Sequence, residues 1–187
     1  MREHYKKCEL GNDLEYSDDL INEMLMLLID LGSDDFWKIL KYGKTDVLIN
    51  PSYTVSLADK YEMVKPNNKT NDGKELTRVK TAKFNDDIST EAHTEIRIVD
   101  GSWSVPEKQI YDIAIGVEII SHNSLIALDG VGKRTINILR HEIYKIFNNA
   151  DVYKNIGQMT NVGTRGQVSI FNNEYQGYQF SLIARSS

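Results

Sequence analysis

The sequence predicts an α+β fold, in which helices pack on one face of a mainly antiparallel sheet. Three observations lead to this prediction. Apolar residues alternate with other residues over 111–120, as in a strand with one buried face. Apolar residues recur at spacings of three and four over 136–147, which is typical of one helix face. Two capped helices precede every strand, so we expect an N-terminal helical pair, then strands, a long helix and closing strands.

The N-terminal helical pair is predicted from its caps. Ser17 precedes two aspartates and an apolar stretch that stops at Gly32, as in a helix with a capping side chain and a terminal glycine. Ser33 repeats this cap before a second helix over 36–42, which ends at Gly43. The first helix is apolar on more than one side, so we expect it to be sandwiched between other elements.

The middle of the chain combines short β-like segments with a polar loop. Residues 47–49 and 53–57 are rich in strand-forming types, and Pro51 restricts any pairing there to a sheet edge. Residues 65–75 are polar and rich in turn formers, and this composition predicts a mobile loop.

The remaining strands are predicted from short alternating segments. Residues 79–84 and 93–99 precede the 111–120 strand, and Asp100-Gly101 is a turn signal after the second of them. The chain closes with strand-like segments at 167–171 and 178–184, of which the last has a clear alternation.

Composition indicates one soluble domain over 1–187, with a flexible N-terminus over 1–15 and the mobile loop over 65–75. A net charge of −5 gives no sign of a generally basic nucleic-acid binder. The first residues lack the apolar stretch of a signal peptide, and no apolar run approaches the length that spans a bilayer. We therefore expect no membrane partner.

We expect neither catalysis nor a bound metal or cofactor. Cys8 is the only cysteine, so it cannot form an intramolecular disulfide and cannot alone make a zinc site; His4 and Cys8 could meet a metal, but we expect both to be bystanders. His93, His122 and His141 lack the paired spacing of metal ligands. No serine occupies the glycine-flanked position of a nucleophile elbow.

Residues 128–139 contain an apolar-x-Gly-apolar-Gly turn in front of the long helix. This turn resembles the helix-hairpin-helix motif, in which Gly130 and Gly132 would present backbone amides to a DNA phosphate. Lys133 and Arg134 would add positive charge. The motif also requires a first helix, and only five residues behind a strand-like run are available for it. DNA binding is therefore the alternative function, and a plain glycine turn explains the same residues.

The order of elements as a whole resembles the neck proteins of tailed bacteriophages, above all the tail-terminator and related head–tail connector family. The resemblance rests on a leucine-rich first helix followed by several segments in a fixed order. These segments are Phe36-Trp37-Lys38-Ile39-Leu40-Lys41-Tyr42, Thr94-Glu95-Ile96-Arg97-Ile98, the 111–120 strand, the helical run 134–143 and Gly177-Tyr178-Gln179-Phe180-Ser181-Leu182.

The resemblance implies a structural virion protein without catalytic residues. It would form a ring with its own copies, usually a hexamer, at the head–tail junction of a virion that is assembled in the host cytoplasm. The ring would cap the tail tube protein, dock to the head connector or stopper protein, and let DNA pass through its lumen without sequence readout. An acidic chain suits a channel through which DNA must slide.

Three large aromatic residues are the candidate contacts of this ring, because apolar periodicity accounts for them least. They are Trp37, Tyr42 and Trp103. We expect the contacts to be heterologous, joining subunits head-to-tail and closing by rotation. For Trp37 the alternative is a place at the edge of the core.

Overall fold

Four α-helices and six β-strands are found in the computed structural model, which describes residues 10–81, 91–104, 112–148, 159–161, 167–170 and 174–185. The helices are α1 (Leu10–Leu31), α2 (Asp34–Tyr42), α3 (Leu57–Val64) and α4 (Thr135–Phe147). The strands are β1 (Val79–Lys80), β2 (Thr94–Ser104), β3 (Asp112–His122), β4 (Met159–Asn161), β5 (Gln167–Ile170) and β6 (Tyr175–Arg185). The predicted α+β class is confirmed.

The six strands form one sheet in the order β1-β2-β3-β6-β4, and β5 also pairs with β6. Only β1 and β2 run parallel among the described strands, so the sheet is mainly antiparallel, as predicted. Ile96 pairs with Ile119, which pairs in turn with Tyr178. Paired residues point to the same face, so these three side chains form one row across the sheet.

The apolar core lies between this face of the sheet and the helices. Burying each large side chain of the core contributes on the order of 1.5–3 kcal/mol. Its members from helices and strands include Leu20, Met24, Leu28, Phe36, Leu40, Ile96, Ile98, Ile115, Val117, Leu139, Ile143, Phe147, Phe180 and Leu182. The alternation predicted for β3 and β6 and the helical spacing predicted for α4 place the core residues of these three elements inward.

The first helix is longer than predicted. It begins at Leu10, so Ser17 lies within the helix and is not its cap. Of the predicted flexible terminus, residues 10–15 are helical, and residues 1–9 lie outside the described part of the chain. The helix is followed by Gly32 as predicted, and the Gly32 amide donates to the carbonyl of Leu28 at 2.9 Å.

The second helix has the predicted cap. Ser33 accepts a hydrogen bond from the amide of Phe36 at 3.3 Å, and Gly43 follows the helix with a φ of +52°. This left-handed conformation favours glycine and satisfies the end of the helix. The cap and the glycine therefore fix α2 to its predicted place.

The prediction of β-like segments over 47–57 was wrong. The chain makes turns over 45–52 and then enters α3. Ser56 caps this helix, because its hydroxyl accepts from the Asp59 amide at 3.2 Å while the Asp59 carboxylate accepts from the Ser56 amide at 2.8 Å. This reciprocal pair satisfies two amides at the helix start and outweighs the strand preference of the flanking residues.

The polar loop over 65–75 is closed by backbone hydrogen bonds. Lys69 and Glu75 form an antiparallel bridge, and the amide of Thr70 donates to the carbonyl of Lys74 at 2.8 Å. The mobility of this loop stays a prediction.

Two strand boundaries differ from the prediction. Asp100 does not begin a turn, because β2 continues to Ser104 with a register shift between Asp100 and Trp103. A glycine within a strand is compatible with such a bulge. Of the strand predicted over 79–84, Val79 and Lys80 form β1, and residues 82–84 lie outside the described part.

Candidate interaction surfaces

Trp37, one of the three predicted contact residues, is a core residue. Its side chain is fully buried and packs edge-on against Phe36, with ring centroids 5.1 Å apart. Its indole nitrogen has no hydrogen-bond partner in the described structure. The side chain of Trp37 therefore offers no surface to a neighbouring protein, and the alternative of a place in the core is the one observed. The side chain of Trp103 lies outside the described part of the chain.

Tyr42 is half-buried and links α2 to the segment before α3. Its ring lies 4.5 Å from that of Tyr53, and its hydroxyl donates to the carbonyl of Thr54 at 2.5 Å. Lys41 pairs with Asp59 at 2.9 Å beside it. The hydrogen bonds from Lys41 and Ser56 hold the pKa of the partly exposed Asp59 at about 2. Tyr42 thus contributes contacts within the fold, and its side chain is only partly exposed.

Large apolar side chains other than the three predicted contact residues are exposed. Five such side chains have between 42% and 58% of their surface exposed: Met26, Leu31, Ile49, Leu57 and Tyr61. Leu57 and Tyr61 are four residues apart, so they share one face of α3. We call these two residues the α3 patch. This patch was not predicted from the sequence, because Leu57 was assigned to a β-like segment.

The position of α3 is fixed by a lysine from its own first turns. Lys60 donates to the carbonyls of Ile29 and Gly32 at 3.2 and 3.4 Å, at the end of α1. Lysine is favourable there, because the last carbonyls of a helix carry partial negative charge. The α3 patch is therefore presented on a helix that is tied to the helical layer.

One face of α1 is acidic and exposed. Glu23, Met26 and Asp30 follow the i, i+3, i+7 spacing, so they lie in line on this face. All three are exposed, while Met24 and Leu28 enter the core on the opposite side. We call Glu23, Met26 and Asp30 the acidic stripe. The helix therefore has one exposed face, whereas we expected it to be sandwiched between other elements.

The turn over 129–134 carries the predicted glycines in the left-handed conformation. Gly130 and Gly132 have φ angles of +71° and +62°, and both residues are exposed. A Cβ atom on Gly130 would lie 3.0 Å from Cγ2 of Ile49, so these two residues are in contact distance. Lys133 and Arg134 are exposed and make no ion pair with a described residue. We call Ile49, Gly130, Lys133 and Arg134 the basic turn.

The helix-hairpin-helix geometry is not present around the basic turn. Residues Asn123–Leu125 form a single 3₁₀ turn, so the α-helix that this motif needs before its hairpin is replaced by a much shorter element. The amide of Thr135, at the start of α4, donates to the carbonyl of Ile126 at 2.9 Å. That amide is therefore already occupied within the chain. The plain glycine turn between a strand and a helix describes these residues better.

A buried charge cluster lies on the sheet face opposite the core, and the sequence analysis did not predict it. Glu95 is only 2% exposed. It pairs with Arg97 at 2.5 Å, with Lys80 at 2.9 Å and with the ring of His93 at 3.2 Å. The alternation of β2 predicted that these side chains point away from the core. The sequence of one strand does not show whether the sheet face opposite the core is buried or exposed.

The pKa of Glu95 reflects this environment. Burial alone would raise it, but the hydrogen bond with His93 and the charges of Lys80 and Arg97 outweigh burial and lower the pKa to about 2. Glu95 is thus held as a carboxylate at neutral pH. The cluster links β1 to β2 through Lys80 and Arg97, and removal of any one partner would leave a buried charge uncompensated.

Among the described residues, no helix has the length and apolar character that crossing a membrane requires. In the same part of the chain, no group of three or more His, Cys, Asp or Glu side chains is placed to hold a metal ion. His93 and Glu95 are engaged in the charge cluster instead.

Comparison with known families identifies the chain at the family level. The model of the YomW family matches residues 33–183, which is most of the sequence. The chain belongs to the YomW family. This family is phage-related, so membership supports a phage origin. No curated protein matches the sequence significantly.

The match to YomW begins at Ser33, the cap of α2, and ends within β6. It therefore includes the α3 patch, the charge cluster and the basic turn. The acidic stripe lies before it, on α1.

Proposed function

We propose that this YomW protein is a structural subunit of the neck of a tailed phage. Its copies form a ring at the head–tail junction, which caps the tail tube and lets DNA pass. The ring, usually a hexamer in such necks, contacts the tail tube protein on one side and a head connector or stopper protein on the other. It belongs to the virion and is assembled in the host cytoplasm.

The observation that carries this proposal is the α3 patch on a phage-related chain. Leu57 and Tyr61 are 58% and 43% exposed on a helix whose other face holds the buried Met63. Exposed apolar side chains that share one helix face favour protein contact over solvent contact. A partner that covers Leu57 and Tyr61 would remove this apolar area from water, which is the main favourable term in protein association.

Two further features support the proposal. The α+β plan agrees with the one that the resemblance to neck proteins implies. The net charge of −5 disfavours tight retention of DNA in a lumen, since like charges repel at short range. Passage of DNA without sequence readout requires no base-contacting element.

Binding to tail tubes tests this function. Wild-type protein is expected to co-sediment with purified phage tail tubes and to appear at one tube end in electron micrographs. The double variant Leu57→Ser, Tyr61→Ser is expected to lose at least tenfold in apparent affinity, because the apolar contact is removed. A matched control is Lys65→Ser with Lys69→Ser, two exposed positions on the polar loop. Wild-type protein that neither binds tubes nor associates with itself would contradict the proposal.

DNA binding is the second candidate function, and the exposed cations of the basic turn favour it. Lys133 and Arg134 have no carboxylate partner in the described structure, so both could approach a phosphate. This function predicts binding to duplex DNA that weakens steeply with salt and is abolished by Lys133→Ala with Arg134→Ala. Little affinity of the wild-type protein for free duplex DNA at low salt would exclude it.

A further inference from the structure

The acidic stripe has the composition of one half of a contact surface. Helix α1 contains no Lys or Arg, and its acidic residues are Asp13, Glu15, Asp18, Asp19, Glu23 and Asp30. Glu23 and Asp30 form no ion pair with any described residue. Between them lies Met26, with 42% of its surface exposed. An apolar centre flanked by charged groups is the usual anatomy of a protein interface, in which methionine is enriched.

The basic turn has the same arrangement with the opposite charge. Its apolar centre is Ile49, which is 56% exposed. Lys133 and Arg134 are exposed in the same turn, and the one carboxylate of the turn, that of Asp129, is engaged by the hydroxyl of Thr45 at 2.5 Å. Asp129 is thus held toward the 45–49 segment. The positive charges of Lys133 and Arg134 are left for a partner outside the chain.

We propose that neighbouring copies of this chain join head-to-tail, with the acidic stripe of one copy against the basic turn of the next. This inference rests on the proposed ring and specifies its subunit contact. A surface that meets a different surface on the next copy makes a heterologous contact, and such contacts form rings when the rotation closes. Each copy carries both an acidic stripe and a basic turn, so every stripe and every turn in a closed ring contacts a neighbouring copy.

A second copy fits these surfaces better than DNA does. DNA would account for Lys133 and Arg134 but would leave Glu23, Met26 and Asp30 without a role and would repel the two carboxylates. A copy of the same chain pairs both charged surfaces and covers both Met26 and Ile49. Electrostatic complementarity of this kind fixes orientation and excludes the wrong pairing, since stripe against stripe and turn against turn would repel.

Paired charge reversal tests this contact. The turn-reversed protein carries Lys133→Glu and Arg134→Glu, and the stripe-reversed protein carries Glu23→Lys and Asp30→Lys. In light scattering, each reversed protein alone is expected to have the mass of the 21.4 kDa monomer and not that of the wild-type ring. The reason is that every contact then brings charges of the same sign together. An equimolar mixture is expected to regain the ring, since alternating subunits restore opposite charges at each contact.

The control is Lys65→Glu with Lys69→Glu, which reverses two exposed lysines on the polar loop and is expected to leave the ring mass unchanged. Circular dichroism and thermal melting confirm that each variant is folded. Should a reversed variant fail to fold, Lys133→Ala with Arg134→Ala replaces it, and a loss of at least tenfold in ring affinity is expected.

The outcomes separate this inference from the proposed function. A wild-type ring that persists in either reversed variant, or a mixture that stays monomeric, overturns the stripe-to-turn contact and leaves the ring intact as a proposal. Wild-type protein that forms no ring, alone or on tail tubes, overturns the proposed function itself. A turn-reversed protein with an unchanged ring but lost affinity for duplex DNA assigns the basic turn to DNA and also overturns the contact.

Discussion

At the scale of single residues, Glu95 illustrates how a carboxylate is accommodated inside the protein. Isolated in an apolar environment, an ionised carboxylate costs far more than folding can supply. Here Arg97, Lys80 and His93 surround it within 3.2 Å or less. Two cations and a hydrogen-bonding ring therefore compensate for the lost hydration, and the stability of β1 and β2 depends on all members being present.

The variant Glu95→Gln tests this dependence. We expect it to lower the free energy of unfolding by about 3–5 kcal/mol, because Arg97 loses its carboxylate partner while still buried. Urea denaturation followed by circular dichroism measures the change. The matched control Asp18→Asn removes an exposed carboxylate on α1 and should change stability by less than about 0.5 kcal/mol. Equal effects of the two substitutions would refute the role of the cluster.

The same residue makes stability depend on pH. The pKa of Glu95 is lowered from 4.5 to about 2 on folding, so its contribution is fully present above about pH 4.5. The contribution is lost as the pH falls toward the folded value, because the unfolded chain then binds more protons. Wild-type protein should therefore lose its stability advantage over Glu95→Gln between about pH 5 and pH 2. An advantage that stays constant over this range would show that Glu95 has an ordinary pKa.

The burial of a residue can be predicted from the sequence when the residue is part of a regular apolar pattern. It cannot be predicted when the role of the residue depends on a partner that is distant in the sequence. Tyr178 and Phe180 were assigned to a half-buried strand from alternation alone, and both are buried in β6. Trp37 was a candidate contact residue because apolar periodicity accounted for it least, and a place at the edge of the core was the alternative. Trp37 is buried, and its indole lies close to Gly32. A Cβ atom on residue 32 would come within 2.7 Å of the indole nitrogen. This close approach of two segments has no local signature.

At the scale of elements, α3 shows how a cap can decide between two local preferences. Residues 53–57 favour a strand by composition, yet Ser56 and Asp59 exchange hydrogen bonds at the helix start. The Ser-x-x-Asp spacing was present in the sequence and would have indicated this helix. Long elements with a sustained period, such as β3 and α4, were predicted correctly, because many residues specify them together.

The variant Ser56→Ala tests the cap. We expect a loss of about 1 kcal/mol in the free energy of unfolding, since the amide of Asp59 loses its acceptor. Ser56→Asp keeps an acceptor at this position and should retain most of the stability. Because α3 presents Leu57 and Tyr61, Ser56→Ala should also weaken binding to tail tubes. A stability loss shared equally by Ser56→Asp would assign the effect to packing and not to the cap.

At the scale of the whole molecule, charges and apolar side chains are divided between distinct surfaces. The acidic stripe on α1, the α3 patch and the basic turn lie on different elements of the helical side. Periodicity and caps in the sequence predicted most of the long elements, but they could not show which residues remain exposed, because exposure depends on how the helices cover the sheet. Ile49 and Met26 became candidates only once the core around them was known.

The proposed ring requires that copies of this chain associate, and the mass of the purified protein in solution tests this prediction most directly. Light scattering across a concentration series should give a discrete multiple of 21.4 kDa, with six copies in the case of a hexamer. A monomer that becomes such a ring on tail tubes would agree equally with the account. A strict monomer under both conditions, especially one that binds duplex DNA with a steep dependence on salt, would contradict it.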